Sequence, residues 1–283
     1  MNERKALWAI HLGALLFGLS GIFGKLASTT PMAISSGRAI FAVLALALFA
    51  QLFKQSRGQH PSLRQLGLLA LGGLLLGGHW VSFFQAVNVS GVAIATLGFA
   101  SFPAFTVLLE GILFRERTRP SEFLMVALVC VGLALVTPSF DLANQATEGL
   151  LWAVLSGLLF ALLSLLNRAS TKGLDPVKAA LYQNFTVLIC LLPFTWQQLP
   201  NLSTISWFWL AMLGIFCTGL AHSLFVASLR VLKARTTAVI FAMEPVYGIA
   251  FAWLLFAEQP TLRMCIGGAL IILAIFASAR MAR

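Results

Sequence analysis

Apolar runs recur along the whole 283-residue chain, separated by short polar connectors, and this feature limits the fold more than any other. Each run is near the roughly 20 residues that a helix needs to cross about 30 Å of hydrocarbon. In lipid a backbone must satisfy its own hydrogen bonds, which leaves helices or a closed barrel. The strict in–out alternation of a barrel strand is missing. Composition agrees: 59% of residues are hydrophobic and 10% charged, against about 25% charged in an ordinary soluble domain. Too few charges are present to cover a soluble surface of this size. The fold class expected is an all-α integral membrane protein.

Breakers and charges divide the sequence into ten spans: Ala6–Ala27, Met32–Phe53, Gln65–Val87, Gly91–Phe114, Ser121–Thr137, Gly149–Asn167, Val177–Trp196, Ile205–Leu229, Thr236–Ala257 and Thr261–Ala279. The connectors carry turn chemistry, as in Ser28-Thr29-Thr30-Pro31 and Asn88-Val89-Ser90. The first run is longer than the 7–15 residues of a signal-peptide core and counts as a true span. Ten spans place both termini on one side. Of the 19 Lys and Arg residues, 16 then fall on the terminal side and Arg263 alone on the other, with Lys25 and Arg38 inside spans. Cytoplasmic connectors carry the excess of Lys and Arg, so both termini are expected in the cytoplasm of a bacterial-type inner membrane. The net charge of +10 is used up in these connectors, and no nucleic-acid motif accompanies it. Cys130, Cys190, Cys217 and Cys265 lie in or beside apolar runs with no paired spacing, which reads as packing.

The chain also repeats itself. A gapless shift superposes Phe83 on Phe225, Ala100 on Ala242, Pro103 on Pro245, Phe114 on Phe256 and Glu116 on Glu258. Near the starts of the halves, Leu7-Trp8-Ala9 matches Leu151-Trp152-Ala153. With an odd five spans per repeat, the halves, 6–137 and 149–279, must lie inverted to each other. Inverted repeats with a site at their interface are a common construction of secondary transporters.

The run FFQAVNVSGVAIATLGFASFPAFTVLLEGILFRERT resembles the EamA module of the drug/metabolite transporter superfamily. The likeness rests on Phe83, Phe84, Ala86, the turn from Asn88 to Ser90, Pro103 and Glu116. It returns more loosely at Phe225, Ser228, Pro245 and Glu258, and Arg38 resembles an Arg common early in the family's second span. The second half departs from the pattern at Ser228, Lys233 and Arg235, where its turn is more basic. The resemblance implies a ten-helix inner-membrane carrier built from two inverted EamA repeats, in a family with many exporters of amino acids and related metabolites.

Ionisable residues inside a membrane cost at least about 2.5–3.5 kcal/mol on insertion scales and mark candidate sites. Glu244 directly precedes Pro245 and shares a helix face with Phe241, Tyr247 and Gly248; it is the candidate for an amine or proton. Arg38 and Lys25 are candidates for a substrate carboxylate, Arg38 being the better bidentate partner. His79 and His222 occupy nearly equivalent places in the two halves and are candidates for proton handling. Each has a structural alternative: a buried ion pair for the charges, packing for the histidines. Glu110 lies near the inner end of its span and reads as structural. Trp80 and Gln183 are expected to line a pocket, together with Tyr182 and Asn184, and Pro103 and Pro245 to mark kinks or gates. Ser156, Ser164 and Asn167 form a polar stripe on the sixth span. No metal-ligand spacing or cofactor motif is present, so neither is expected. A cationic and an anionic pole match a zwitterion such as an amino acid, exported by alternating access, possible protons included. The alternatives are a carrier of another solute class (a hydrophobic cation or a nucleotide-like metabolite) and, more remotely, a membrane-embedded enzyme. The expected partners are a small-molecule substrate and the lipid bilayer, without nucleic acid; the oligomeric state stays open.

Overall fold

The structure is a computed structural model that describes residues 2–52, 61–113, 119–137, 141, 143–170, 174–222, 224, 228, 232, 240 and 243–281, with the side chains of 168–170, 176 and 278–281 excepted. The helices are α1 (Glu3–Ala27), α2 (Pro31–Leu52), α3 (Leu63–Phe99), α4 (Phe102–Leu113), α5 (Pro120–Val136), α6 (Gln145–Ser170), α7 (Pro176–Thr195), α8 (Thr204–Met212), α9 (Glu244–Phe256) and α10 (Leu262–Met281). A π-helical stretch, Leu213–Leu220, continues α8 without a break. Five of these helices are long and apolar enough to cross a membrane, and five shorter apolar segments accompany them. Large apolar side chains such as Leu44, Ile112, Leu254 and Leu273 lie more than half exposed, as lipid-facing residues must.

Local chemistry sets the helix ends. Asn2 caps α1 through its side chain on the Lys5 N–H, Ser62 and Gln65 form a capping box at α3, and Asp175 accepts from Val177 and Lys178 at α7. Pro103 and Pro245 each stand at the second residue of a helix, α4 and α9, where a missing N–H removes no helical bond. Both therefore open a helix at matching places of the two repeats.

One expected boundary holds and one expected span is corrected. The third and fourth spans part where expected: α3 comprises two helices that meet at a break at Gly91 (φ 84°, ψ 172°), and the chain folds back there, which brings the Phe99 ring to 5.0 Å from His79 and 5.9 Å from Phe83. A second break follows at Ala100 and Ser101, so the expected continuous span Gly91–Phe114 is split. A glycine without a Cβ reaches this backbone region, and the Ser90 hydroxyl holds the preceding turn by bonding the Ala86 carbonyl.

The halves interlock. The main partner of α3 is α6, that of α2 is α7, and that of α5 is α10, each pair drawn from both repeats. The packing is also reciprocal: α6 against α3 and α4 is matched by α1 against α8 and α9. Small residues allow this. A Cβ on Gly132 would stand 2.8 Å from the Gly267 carbonyl, and one on Gly18 would stand 3.0 Å from the Glu244 carbonyl. Without a water-driven force between helices in lipid, such close backbone approach supplies the packing. The largest buried cluster includes Ile22, Trp80, Phe83, Phe84, Phe99, Leu210 and Cys217.

Candidate functional site

Arg38 stands at the centre of the molecule. Helix α2 packs so closely on the π-helical stretch that a Cβ on Gly214 would lie 2.6 Å from the Arg38 carbonyl. The π-turn widens the helix and turns Thr218 toward Arg38. The Thr218 hydroxyl donates to the Leu213 carbonyl, five residues back (3.2 Å), and accepts from Arg38 Nε (2.8 Å). Single π-turns inside helices are frequent at functional sites. The guanidinium lies 4.1 Å from the Trp80 ring centre and 6.0 Å from that of Phe84.

A guanidinium that is 4% exposed needs compensation for lost water. Trp80 supplies a cation–π contact, and Glu244 interacts with it electrostatically. These two charges nevertheless form no contact ion pair among the described residues. Nor does any described side chain or carbonyl accept a hydrogen bond from the two Nη groups of Arg38. The stacked, Nε-anchored guanidinium thus keeps the fork that binds a carboxylate with two parallel bonds. Glu244 is half-buried at the first turn of α9, where a carboxylate also suits the helix dipole. The Ser20 hydroxyl, buried on α1, has the weak sulfur neighbour Cys217 in place of an oxygen partner.

His79 borders this centre as a packed ring. Its Nδ1 is 2.7 Å from Ser156 Oγ, and the Ser156 hydroxyl donates to the His79 carbonyl (3.0 Å). That leaves the Ser156 oxygen to accept, so Nδ1 carries the proton. Phe99 and Phe160 pack on the ring at 5.0 Å each. The pair joins α3 to α6.

The other predicted residues fall elsewhere. Lys25 Nζ pairs with Glu258 Oε1 at 2.5 Å and lies 4.5 Å from the Phe256 ring centre, at the end of the bundle away from the N-terminus. Gln183 donates to Asn167 (2.6 Å) between α7 and α6. Tyr247 lies one turn beyond Glu244 and lines a groove of about 550 Å³ beside Trp8 and His11 of α1. His222 follows the π-helical stretch by two residues. Phe241 lies outside the described residues, as do Glu116, Phe225, Lys233 and Arg235. The sequence reading brought out Arg38, Trp80, His79 and Glu244, which do gather, and took Cys217 for packing, as its place in the core cluster agrees, but it missed Thr218. The signal for Thr218 was the pair of glycines, Gly214 and Gly219, that lets one helix face press against α2.

The sequence model of the EamA-like transporter family matches residues 4–137 and again residues 147–280. The chain belongs to this family. Among the relatives of this EamA-like transporter, an "uncharacterized transporter YxxF" of Bacillus subtilis is 25% identical over 94% of this chain and 86% of its own. An "uncharacterized transporter" of Archaeoglobus fulgidus is 26% identical over 93% and 92%. A solved crystal structure superposes over 100% of this chain and 99% of its own with a TM-score of 0.70 at 16% identity, a likeness in fold alone. The EamA-like transporter is therefore a multi-pass membrane protein of ten helices in two repeats.

Proposed function

We propose that this EamA-like transporter exports a small zwitterionic metabolite, an amino acid or a close relative, by alternating access across the inner membrane. The observation that carries the reading is the Arg38 guanidinium: buried, stacked on Trp80, held by Thr218 through Nε and open at its Nη edge. An α-carboxylate fits that edge. Glu244, close enough to act on Arg38 through space but not in contact, is then the counter-pole for the α-amino group or for a proton. The positive-inside distribution of Lys and Arg supports an orientation with both termini in the cytoplasm, and inverted repeats would supply two exchangeable states. A hydrophobic cation as cargo finds less support, because a fixed guanidinium at the centre repels it.

The test is uptake of a panel of labelled amino acids into proteoliposomes, with and without an imposed pH gradient. Saturable flux of one amino acid class supports the assignment. Glu244→Gln is expected to abolish gradient-driven flux, and full coupling in that variant removes Glu244 from the role. No flux across the panel from folded protein moves the substrate to another solute class.

A further inference from the structure

We propose that Glu258 and Lys25 form an outer latch: a contact that holds the extracellular end of the pathway shut and must open for the outward-facing state. This inference rests on the alternating-access reading and on the orientation given above.

Three separate stretches of chain meet at one carboxylate. Glu258 Oε1 accepts from Lys25 Nζ at the end of α1. Glu258 Oε2 accepts from the backbone N–H groups of Val92 (2.9 Å) and Ala93 (3.3 Å). Those N–H groups are available because Gly91 leaves the helix and exposes a fresh helix start within α3. Glu258 itself follows the last turn of α9, where its own N–H reaches the Ala252 carbonyl (3.3 Å). The carboxylate therefore binds the ends of α1 and α9 to the bend of α3. Helix α1 carries Ser20, α3 carries Trp80 and α9 carries Glu244, so the latch joins the three helices around Arg38.

The positive-φ positions of the described backbone gather at the same place. Among the described residues the backbone takes positive φ at Ser28 (51°), Ala257 (55°) and Gly91 (84°). Ser28 stands three residues from Lys25, Ala257 adjoins Glu258, and Gly91 adjoins Val92. Left-handed non-glycine residues are unfavourable, and such strain gathers in switch regions where two conformations lie close in energy. At Gly91 the carboxylate fills the space that a side chain needs: a Cβ there would stand 2.9 Å from Glu258 Oε2.

The latch is also reachable by water. The side chain of Lys25 is 36% exposed and that of Glu258 is 18% exposed. Ions in such a site rehydrate as they part, so separation is cheaper than for a fully buried pair. The neighbouring loop adds neutral contacts, with Thr30 donating to Gln198 (2.9 Å) and Gln198 donating to Thr29 (3.2 Å). These follow the movement of the α1–α2 turn without adding charge.

The buried thiol of Cys217, at the centre, reports on the latch without any substrate. In the full chain carrying Cys130→Ser, Cys190→Ala and Cys265→Ser, a membrane-impermeant cationic methanethiosulfonate is added outside intact spheroplasts or inside everted vesicles. Glu258→Ala is expected to speed external labelling of Cys217 at least tenfold and to slow labelling from the cytoplasmic side. Lys25→Met, which keeps the carboxylate bonds to Val92 and Ala93, is expected to speed it about threefold. General loosening would raise labelling from both sides, which overturns the proposal, as does an external rate within twofold of the parent in both variants. If Glu258→Ala does not fold, Lys25→Met alone decides. Labelling needs no cargo: a working latch with no amino acid flux leaves this inference standing and removes the proposed substrate, and the reverse result separates them equally.

Discussion

Two cation–carboxylate couples of the bundle, Arg38 with Glu244 and Lys25 with Glu258, are built in opposite ways. At the end, the charges touch, and the carboxylate also takes two backbone N–H groups. At the centre, the charges act on each other across a gap, while the guanidinium is held by an aromatic ring and a hydroxyl. A closed pair exposed to water spends its charge on holding helices together. An open pair whose guanidinium lies out of water keeps that charge available to a ligand, because a buried ion without a contact partner binds the next suitable group strongly. Residue type alone therefore does not separate a clamp from a site; the distance between the charges does.

The contrast can be broken most severely at Arg38. Arg38→Lys keeps the charge but loses the planar fork and its stacking on Trp80, and we expect saturable flux to fall more than a hundredfold. Flux within threefold of the parent would show that a point charge suffices and that the open fork has no role. A smaller effect is expected at the bend. Gly91→Ala forces a side chain into a glycine-only backbone region and against Glu258, costing about 2 kcal/mol, visible as a lowered unfolding temperature in detergent. An unchanged temperature would mean that the bend relaxes without its carboxylate. Thr218→Val removes the hydroxyl that orients Arg38; the loss of one such hydrogen bond, about 1–1.5 kcal/mol, is expected to raise KM roughly tenfold with little change in maximal rate. A fall in maximal rate alone would place Thr218 in the motion instead of the binding. The smallest effect on stability is expected from Lys25→Met, below about 1 kcal/mol because the pair is partly exposed. A loss of several kcal/mol would show that this couple behaves as a buried pair, and the distinction drawn between the two would fail.

Much of this architecture was legible because membranes impose strong rules. Length, apolarity and the placement of Lys and Arg fix where helices cross, and the Pro…Glu repeat marks the duplication. The break at Gly91 was legible, since Asn88-Val89-Ser90 reads as a connector; what was not legible is that a carboxylate remote in sequence takes the N–H groups that the break frees. The π-helical stretch was equally hidden: GIFCTGL carries no local signal for it, and its shape accompanies contact with α2 at Gly214 and Gly219. At the candidate site, Arg38 and Glu244 stood out because charge within a membrane is costly. Thr218 did not, since hydroxyls on apolar helices are common and only tertiary contact distinguishes them; Ser156 showed only as part of a polar stripe. Lys25 and Glu258 were each visible, one as an intramembrane cation and one as a repeat signature, but a single sequence gives no means of joining them.

That separation has a consequence for biosynthesis. Lys25 and Glu258 are 233 positions apart, and chains grow at about 5–20 residues per second, so on the order of 10–50 s passes between the emergence of the first and that of the second. Throughout that interval α1 sits in the bilayer with an ammonium group that has no carboxylate to meet, held near the surface by its long stem. The first helix made is sealed by the end of almost the last, and a chain that ends before Glu258 leaves a bundle whose outer end was never closed.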